Sequence, residues 1–175
     1  MSAGIHFEED GIVLTDFNLP HMMKIAFDLE VLKVKQAFSY ADTLPIMIKI
    51  RDELGGSVSN NGWVDKLLTK ADKQKLIKGS EHAKRILTNA GATEIYSSYK
   101  VAAHPGGTVK IGELVDTDLK TRFDNLYVCD CSVMPQEWGL PPTTSIIALG
   151  KRLAKHLLAA DQASKKQDPD KRNMS

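Results

Sequence analysis

His104 opens a tight, glycine-rich turn, Ala103-His104-Pro105-Gly106-Gly107-Thr108. Imidazole is the side chain best suited to move a proton near neutral pH, and a glycine turn lets backbone approach a ligand closely. On position alone, a lone loop histidine is a surface residue. Asp130 sits at the end of the apolar run Leu126-Tyr127-Val128-Cys129. A carboxylate there must be paired or hydrogen-bonded, either to a sugar hydroxyl or to a loop N–H in a simple turn. Pro142-Thr143-Thr144-Ser145 precedes an amphipathic stretch. Thr143 or Thr144 reads as an N-cap, and the free amides of a helix start attract negative charge, although capping by itself needs no ligand. Cys129 and Cys131 are two residues apart. In an extended run that spacing suits a disulfide poorly, and two thiols cannot complete a structural zinc site. They read as small buried hydrophobes in a reducing compartment.

The elements that must carry these groups follow from periodicity. Ile5 and Phe7 alternate with polar neighbours, Glu9-Asp10-Gly11 turns, and Ile12-Val13-Leu14 continues as a second strand. Asn18 is a candidate cap for a helix with Pro20 in its first turn, and Met22, Ile25, Ala26, Leu29 and Leu32 form its apolar stripe. Pro45–Arg51 reads as a strand with Ile46, Ile48 and Ile50 on one face, and Asn60-Asn61-Gly62 as a hairpin turn. Thr69 and Asp72 predict a capped helix over 70–90, closed by Gly91. Ile95–Ala103 and Leu126–Cys131 read as strands, the second with Leu126, Val128 and Asp130 on one face. Ser145 to about Ala160 reads as a helix with Ile146, Leu149, Leu153 and Leu157 inward.

Three motifs then stand in order over some fifty residues: the His104 turn, Asn125-Leu126-Tyr127-Val128-Cys129-Asp130-Cys131-Ser132-Val133-Met134-Pro135, and Gly139-Leu140-Pro141-Pro142-Thr143-Thr144-Ser145-Ile146-Ile147-Ala148-Leu149. Together they resemble the C-terminal signature of the glucose–methanol–choline (GMC) oxidoreductases, which are FAD-dependent. The resemblance implies that His104 is the active-site histidine, accepting the hydroxyl proton of an alcohol while hydride passes to the flavin. It places Asp130 with Cys131 at the flavin ribityl and pyrophosphate region, and Pro142, Thr143 and Thr144 at the turn whose amides reach the flavin pyrimidine edge. One position departs from the pattern. The family usually has a second His or an Asn immediately before position 142, and this chain has Pro141, which offers no side-chain donor or acceptor. Either His104 works alone or another side chain substitutes, Gln136 and Glu137 being the near candidates.

The chain has 175 residues, 42% of them hydrophobic and 26% charged, with a formal net charge of +1. That excludes disorder for the bulk of the chain. With 23 basic against 22 acidic residues there is no electrostatic footprint for nucleic acid. No apolar run approaches the roughly 18 residues of a membrane span, and the N-terminus lacks a signal-peptide pattern. A cytoplasmic location is expected. No Gly-x-Gly-x-x-Gly turn occurs: Gly55-Gly56 and Gly106-Gly107 have the wrong spacing. The expectation is therefore a C-terminal subunit or fragment, inactive alone, which shares FAD with an N-terminal FAD-binding chain or half and acts on a small-molecule alcohol. A non-catalytic binding or scaffolding subunit is the alternative. The expected fold is mixed α+β. Residues 1–100 would form an antiparallel substrate-side region, 101–160 the flavin-covering strand–loop–helix, and 161–175 a flexible polar tail.

Overall fold

The computed structural model describes residues 3–39, 41–102 and 106–167. The chain is mixed α and β, as the patterning predicts, and divides into two compact units. The first holds residues up to Ala102 together with Trp138–Leu140. The second holds Ala103–Glu137 and the chain from Pro141 onward.

In the first unit, β1 (Gly4–Phe7), β2 (Ile12–Asp16) and β3 (Ile46–Ile50) form an antiparallel sheet in the order β1-β2-β3. The turn between β1 and β2 needs a left-handed residue, and Gly11 supplies it at φ 63°. Ile12 and Leu14 project from one face of β2 and are fully buried with Ala83, against Phe7, Ile46, Ile48, Ile50 and Ile86. The covering helix is α2 (Lys70–Asn89), and the register Ile12↔Ile50, Leu14↔Ile48 brings the isoleucines under it. Gly79 permits the close approach: a Cβ there would lie 2.6 Å from Ile48 Cγ2.

The start of α2 is as the sequence predicts. Thr69 Oγ1 accepts from Asp72 N at 3.1 Å, and Asp72 Oδ2 accepts from Thr69 N at 3.1 Å, a complete capping box. Asp72 is fully buried and its other oxygen accepts from Glu53 N. Burial pushes its carboxyl up, but the Thr69 and Glu53 amides, with Lys75 nearby, outweigh that and hold it below the usual carboxylate value. Gly91 closes the helix at φ 86°. A small hairpin, β4 (Ser57–Val58) with β5 (Val64–Asp65), turns through Asn60-Asn61-Gly62.

Three expectations fail here. Helix α1 (His21–Glu30) has Pro20, not Asn18, at its N-cap position. Its buried stripe is ionic rather than apolar. Lys24 and Asp28 are buried as an i,i+4 ion pair, while Met22, Met23, Leu29 and Leu32 are exposed. Tyr96 donates to Asp28 Oδ1 at 2.7 Å, and Lys24 also donates to Gln36 O, at the start of the 3-10 turn Gln36–Phe38. These partners satisfy a pair that burial would otherwise penalise. Finally, residues 95–102 form no strand. Side chains tie this stretch down instead, through Tyr96 and through Glu94, which accepts from Lys33 and Gln36.

Burial, followed by the Asp28 hydrogen bond and the charges of Asp28 and Glu94, pushes the Tyr96 hydroxyl up to about 12. The folded state thus favours the neutral phenol. Its contribution is complete below pH 10.0, the ordinary value, and is lost as pH rises toward 12. Tyr96→Phe should cost about 1–2 kcal/mol at neutral pH, and stability measured by urea titration should then fall less between pH 10 and 12 than in the parent. Gly79→Ala should destabilise by about 1–3 kcal/mol in the same assay, because overpacking against Ile48 outweighs the gain in helix propensity.

Candidate functional site

The second unit is built on Val133, which has no solvent exposure. It packs with Val115 and Leu119, and around them lie Val109, Ile111, Val128, Cys129, Leu149 and Leu153. Leu119 reaches this core from a left-handed backbone, φ 66°. Leu149 and Leu153 come from α3 (Thr143–Gln167), so burial of one helical stripe seats the helix on the cluster.

The motif segments meet there through the backbone. Val109 N donates to Ser132 O at 3.0 Å and Ile111 N to Val133 O at 3.0 Å. The strand-like segment that leaves the glycine turn is thus paired with the segment following Asp130. Gly107 takes φ 84° in that turn, a conformation that disfavours any residue with a Cβ. Ala103, His104 and Pro105 lie outside the described residues.

Leu126–Cys131 is not a strand. It makes one isolated bridge, Lys120↔Tyr127, and the chain then turns into a 3-10 helix, Cys131–Val133. The alternation was misleading because Val128 N bonds Leu119 O within a run of turns, and no neighbouring strand continues the ladder. Asp130 is exposed and caps the 3-10 turn, accepting from Ser132 N at 2.7 Å through Oδ1. The turn-forming reading of this aspartate therefore holds. Cys131 opens the 3-10 turn; it and Cys129 are half-buried free thiols.

Helix α3 starts two residues earlier than expected. Pro142 is buried and its carbonyl accepts from Ile146 N at 2.9 Å, which makes Pro142 the cap residue and puts Thr143 and Thr144 in the first turn. A proline has no side-chain acceptor, so the amides of Thr143, Thr144 and Ser145 begin the helix without help from their own cap. Thr143, Thr144 and Ser145 are exposed. The helix also runs past the expected end at 160 to Gln167, because Ala, Lys and Gln carry it on. Leu157 is exposed, unlike Leu149 and Leu153. Arg152 pairs with Asp118 at 2.9 Å, and His156 lies 3.7 Å from the same carboxylate.

Trp138-Gly139-Leu140 belongs to the first unit, where Lys49 Nζ donates to Leu140 O at 2.9 Å. A lysine in the otherwise apolar Ile-Met-Ile-Lys-Ile strand was the available signal. Among the described residues no group of His, Cys, Asp and Glu is arranged to hold a metal, and no helix is long and apolar enough to cross a membrane.

Residues 61–150 match the GMC oxidoreductase family through its C-terminal domain, and the chain belongs to that family. An uncharacterized protein of Methanocaldococcus jannaschii is 36% identical over 138 residues, covering 79% of this chain and 36% of the relative. The Drosophila melanogaster protein named neither inactivation nor afterpotential protein G is 34% identical over 59 residues, 33% of this chain and 10% of that one. This chain thus spans about a third of the first relative and a tenth of the second. No solved structure matches.

Leu119→Ala should cost about 2–4 kcal/mol by denaturant unfolding, since it empties the core under α3. Asp130→Asn should stay within about 0.5 kcal/mol of the parent, because an exposed amide oxygen can still accept from Ser132 N.

Proposed function

We propose that this chain is the flavin-covering and substrate-side part of a GMC-type, FAD-dependent alcohol oxidoreductase, with His104 as the proton acceptor. The observation that carries the reading is the convergence of three motif segments on one buried cluster within the stretch that matches the family: Val109 and Ile111 after the glycine turn, Val128–Val133, and Leu149 of α3. The residues present fit the cofactor. Asp130 is exposed and uses Oδ1 for its own turn, so Oδ2 can accept a ribityl or ribose hydroxyl, with Cys131 beside it. Pro142 leaves the first amides of α3 as donors for negative charge at the flavin pyrimidine edge, around Thr143 and Thr144. When bound, FAD supplies the hydride acceptor for oxidation of the carbinol carbon. His104 takes the hydroxyl proton, which leaves a carbonyl product.

A partner fits as well. The chain has no Gly-x-Gly-x-x-Gly turn for the pyrophosphate, so an N-terminal FAD-binding chain or half would provide it. The sheet β1-β2-β3 ends on both sides in strands with no neighbour among the described strands. Val58, Trp63, Val64 and Leu67 on and beside the β4–β5 hairpin are all exposed. Open edges and apolar patches of this kind are ordinarily covered. Pro141, standing where the family usually has a second His or an Asn, favours one rival reading, a scaffolding subunit that holds flavin without chemistry.

The deciding experiment adds alcohol to the flavin-loaded assembly. His104→Ala should retain the flavin spectrum and slow flavin reduction by about 10²–10⁴-fold. Unchanged reduction removes His104 from the mechanism. Bound flavin that no alcohol reduces, in the parent assembly, supports the scaffold.

A further inference from the structure

The tip of the β4–β5 hairpin carries a chemically labile link. Asn61 is the one asparagine in the sequence that a glycine follows. Asn61 and Gly62 are both exposed, and Gly62 takes φ 84°, the left-handed position of the turn. A Cβ at Gly62 would meet no atom within 4 Å, so neither a side chain nor a neighbour shields its nitrogen. The Ser59 hydroxyl has Asn61 Oδ1 and Trp63 O as acceptors. When it donates to the carboxamide, it stabilises the charge that gathers on that oxygen as a nucleophile attacks the carbon.

Gly62 N donates to Ser59 O at 2.9 Å, and this bond must open before the nitrogen can attack. The hairpin that holds it is weak. β4 and β5 pair only as Ser57↔Asp65 and Val58↔Val64, and they form a sheet of their own. Trp63 and Val64 are 75% and 70% exposed, so no apolar core pins the tip. An isolated two-stranded ladder this short is marginal in water and opens locally.

We propose that Asn61-Gly62 is a site of spontaneous covalent modification, at which the asparagine side chain closes on the following peptide bond. Gly62 N gives its proton to water or hydroxide and bonds to Asn61 Cγ. The Cγ–Nδ2 bond breaks and ammonia leaves. The cyclic imide then takes up water. Opening at one carbonyl yields aspartate, and opening at the other runs the backbone through the side chain as isoaspartate. Nothing is oxidised or reduced. Either product adds a negative charge beside Trp63 and Val64. The isoaspartyl form also lengthens the turn that sets Val58 against Val64. The hairpin tip is thus apolar and neutral in a new chain and charged in an aged one.

The test incubates the full chain in warm, mildly alkaline buffer beside a synthetic peptide of residues 57–65. Tryptic fragments are followed by mass spectrometry. The fragment of residues 52–66 should gain about 1 Da at Asn61 and split into two chromatographic forms, at a rate within about tenfold of the peptide's. Asn61→Gln should abolish the gain, because its longer side chain would have to close a larger, less favoured ring. No gain, a gain at Asn60, a gain that persists in Asn61→Gln, or a rate more than about tenfold below the peptide's overturns the site. The comparison of parent with peptide needs no variant to fold, and flavin plays no part in the readout.

Discussion

Everything proposed for the second unit depends on the burial of Val133. Its backbone amide lies in the 3-10 turn that Asp130 caps, its carbonyl accepts from Ile111, and its side chain closes the cluster that Leu149 and Leu153 complete. One residue thus joins three chain segments that are far apart in sequence. The segment after the glycine turn, the Asp130 turn and the Leu149–Leu153 stretch of α3 have no regular sheet to align them. A close-packed apolar contact fixes their spacing instead, and such contacts tolerate little change of volume.

The first unit is held differently. Its sheet and α2 share a conventional apolar core, but α1 and the stretch after α2 are held by ionic and polar contacts: Lys24 with Asp28, Tyr96 on the same carboxylate, Glu94 with Lys33 and Gln36. That leaves the apolar residues of α1 facing outward, together with those of the β4–β5 hairpin. Polar groups inside and apolar groups outside reverse the usual order. In the assembly proposed above, these outward apolar faces would be the ones covered by the FAD-binding counterpart.

How much of this the sequence disclosed varied with the range of the interaction. Local signals were legible: Thr69 with Asp72 fixed the start of α2, Gly91 its end, and Asn61-Gly62 the hairpin. Three adjacent motifs carried the family through type and order alone. Tertiary choices were hidden. Leu126–Cys131 alternates like a strand, yet no partner strand lies beside it, so turns took over. The stripe of α1 looked apolar because periodicity cannot foresee that Tyr96 and Gln36 would supply partners for a buried Lys24–Asp28 pair. The cap of α3 moved to Pro142 because a buried proline carbonyl can accept the first helical bond as well as a threonine's can. Lys49 Nζ reaches Leu140 O from 91 positions away, which no local pattern reveals.

In the proposed assembly this chain covers a flavin that it holds jointly with an FAD-binding counterpart. The most direct measurement is the visible absorption spectrum of the chain purified together with that counterpart, after free flavin has been removed. The complex should be yellow with a stoichiometric flavin spectrum, and should lose its flavin when the two are separated. A colourless complex that takes up no FAD on addition would contradict it.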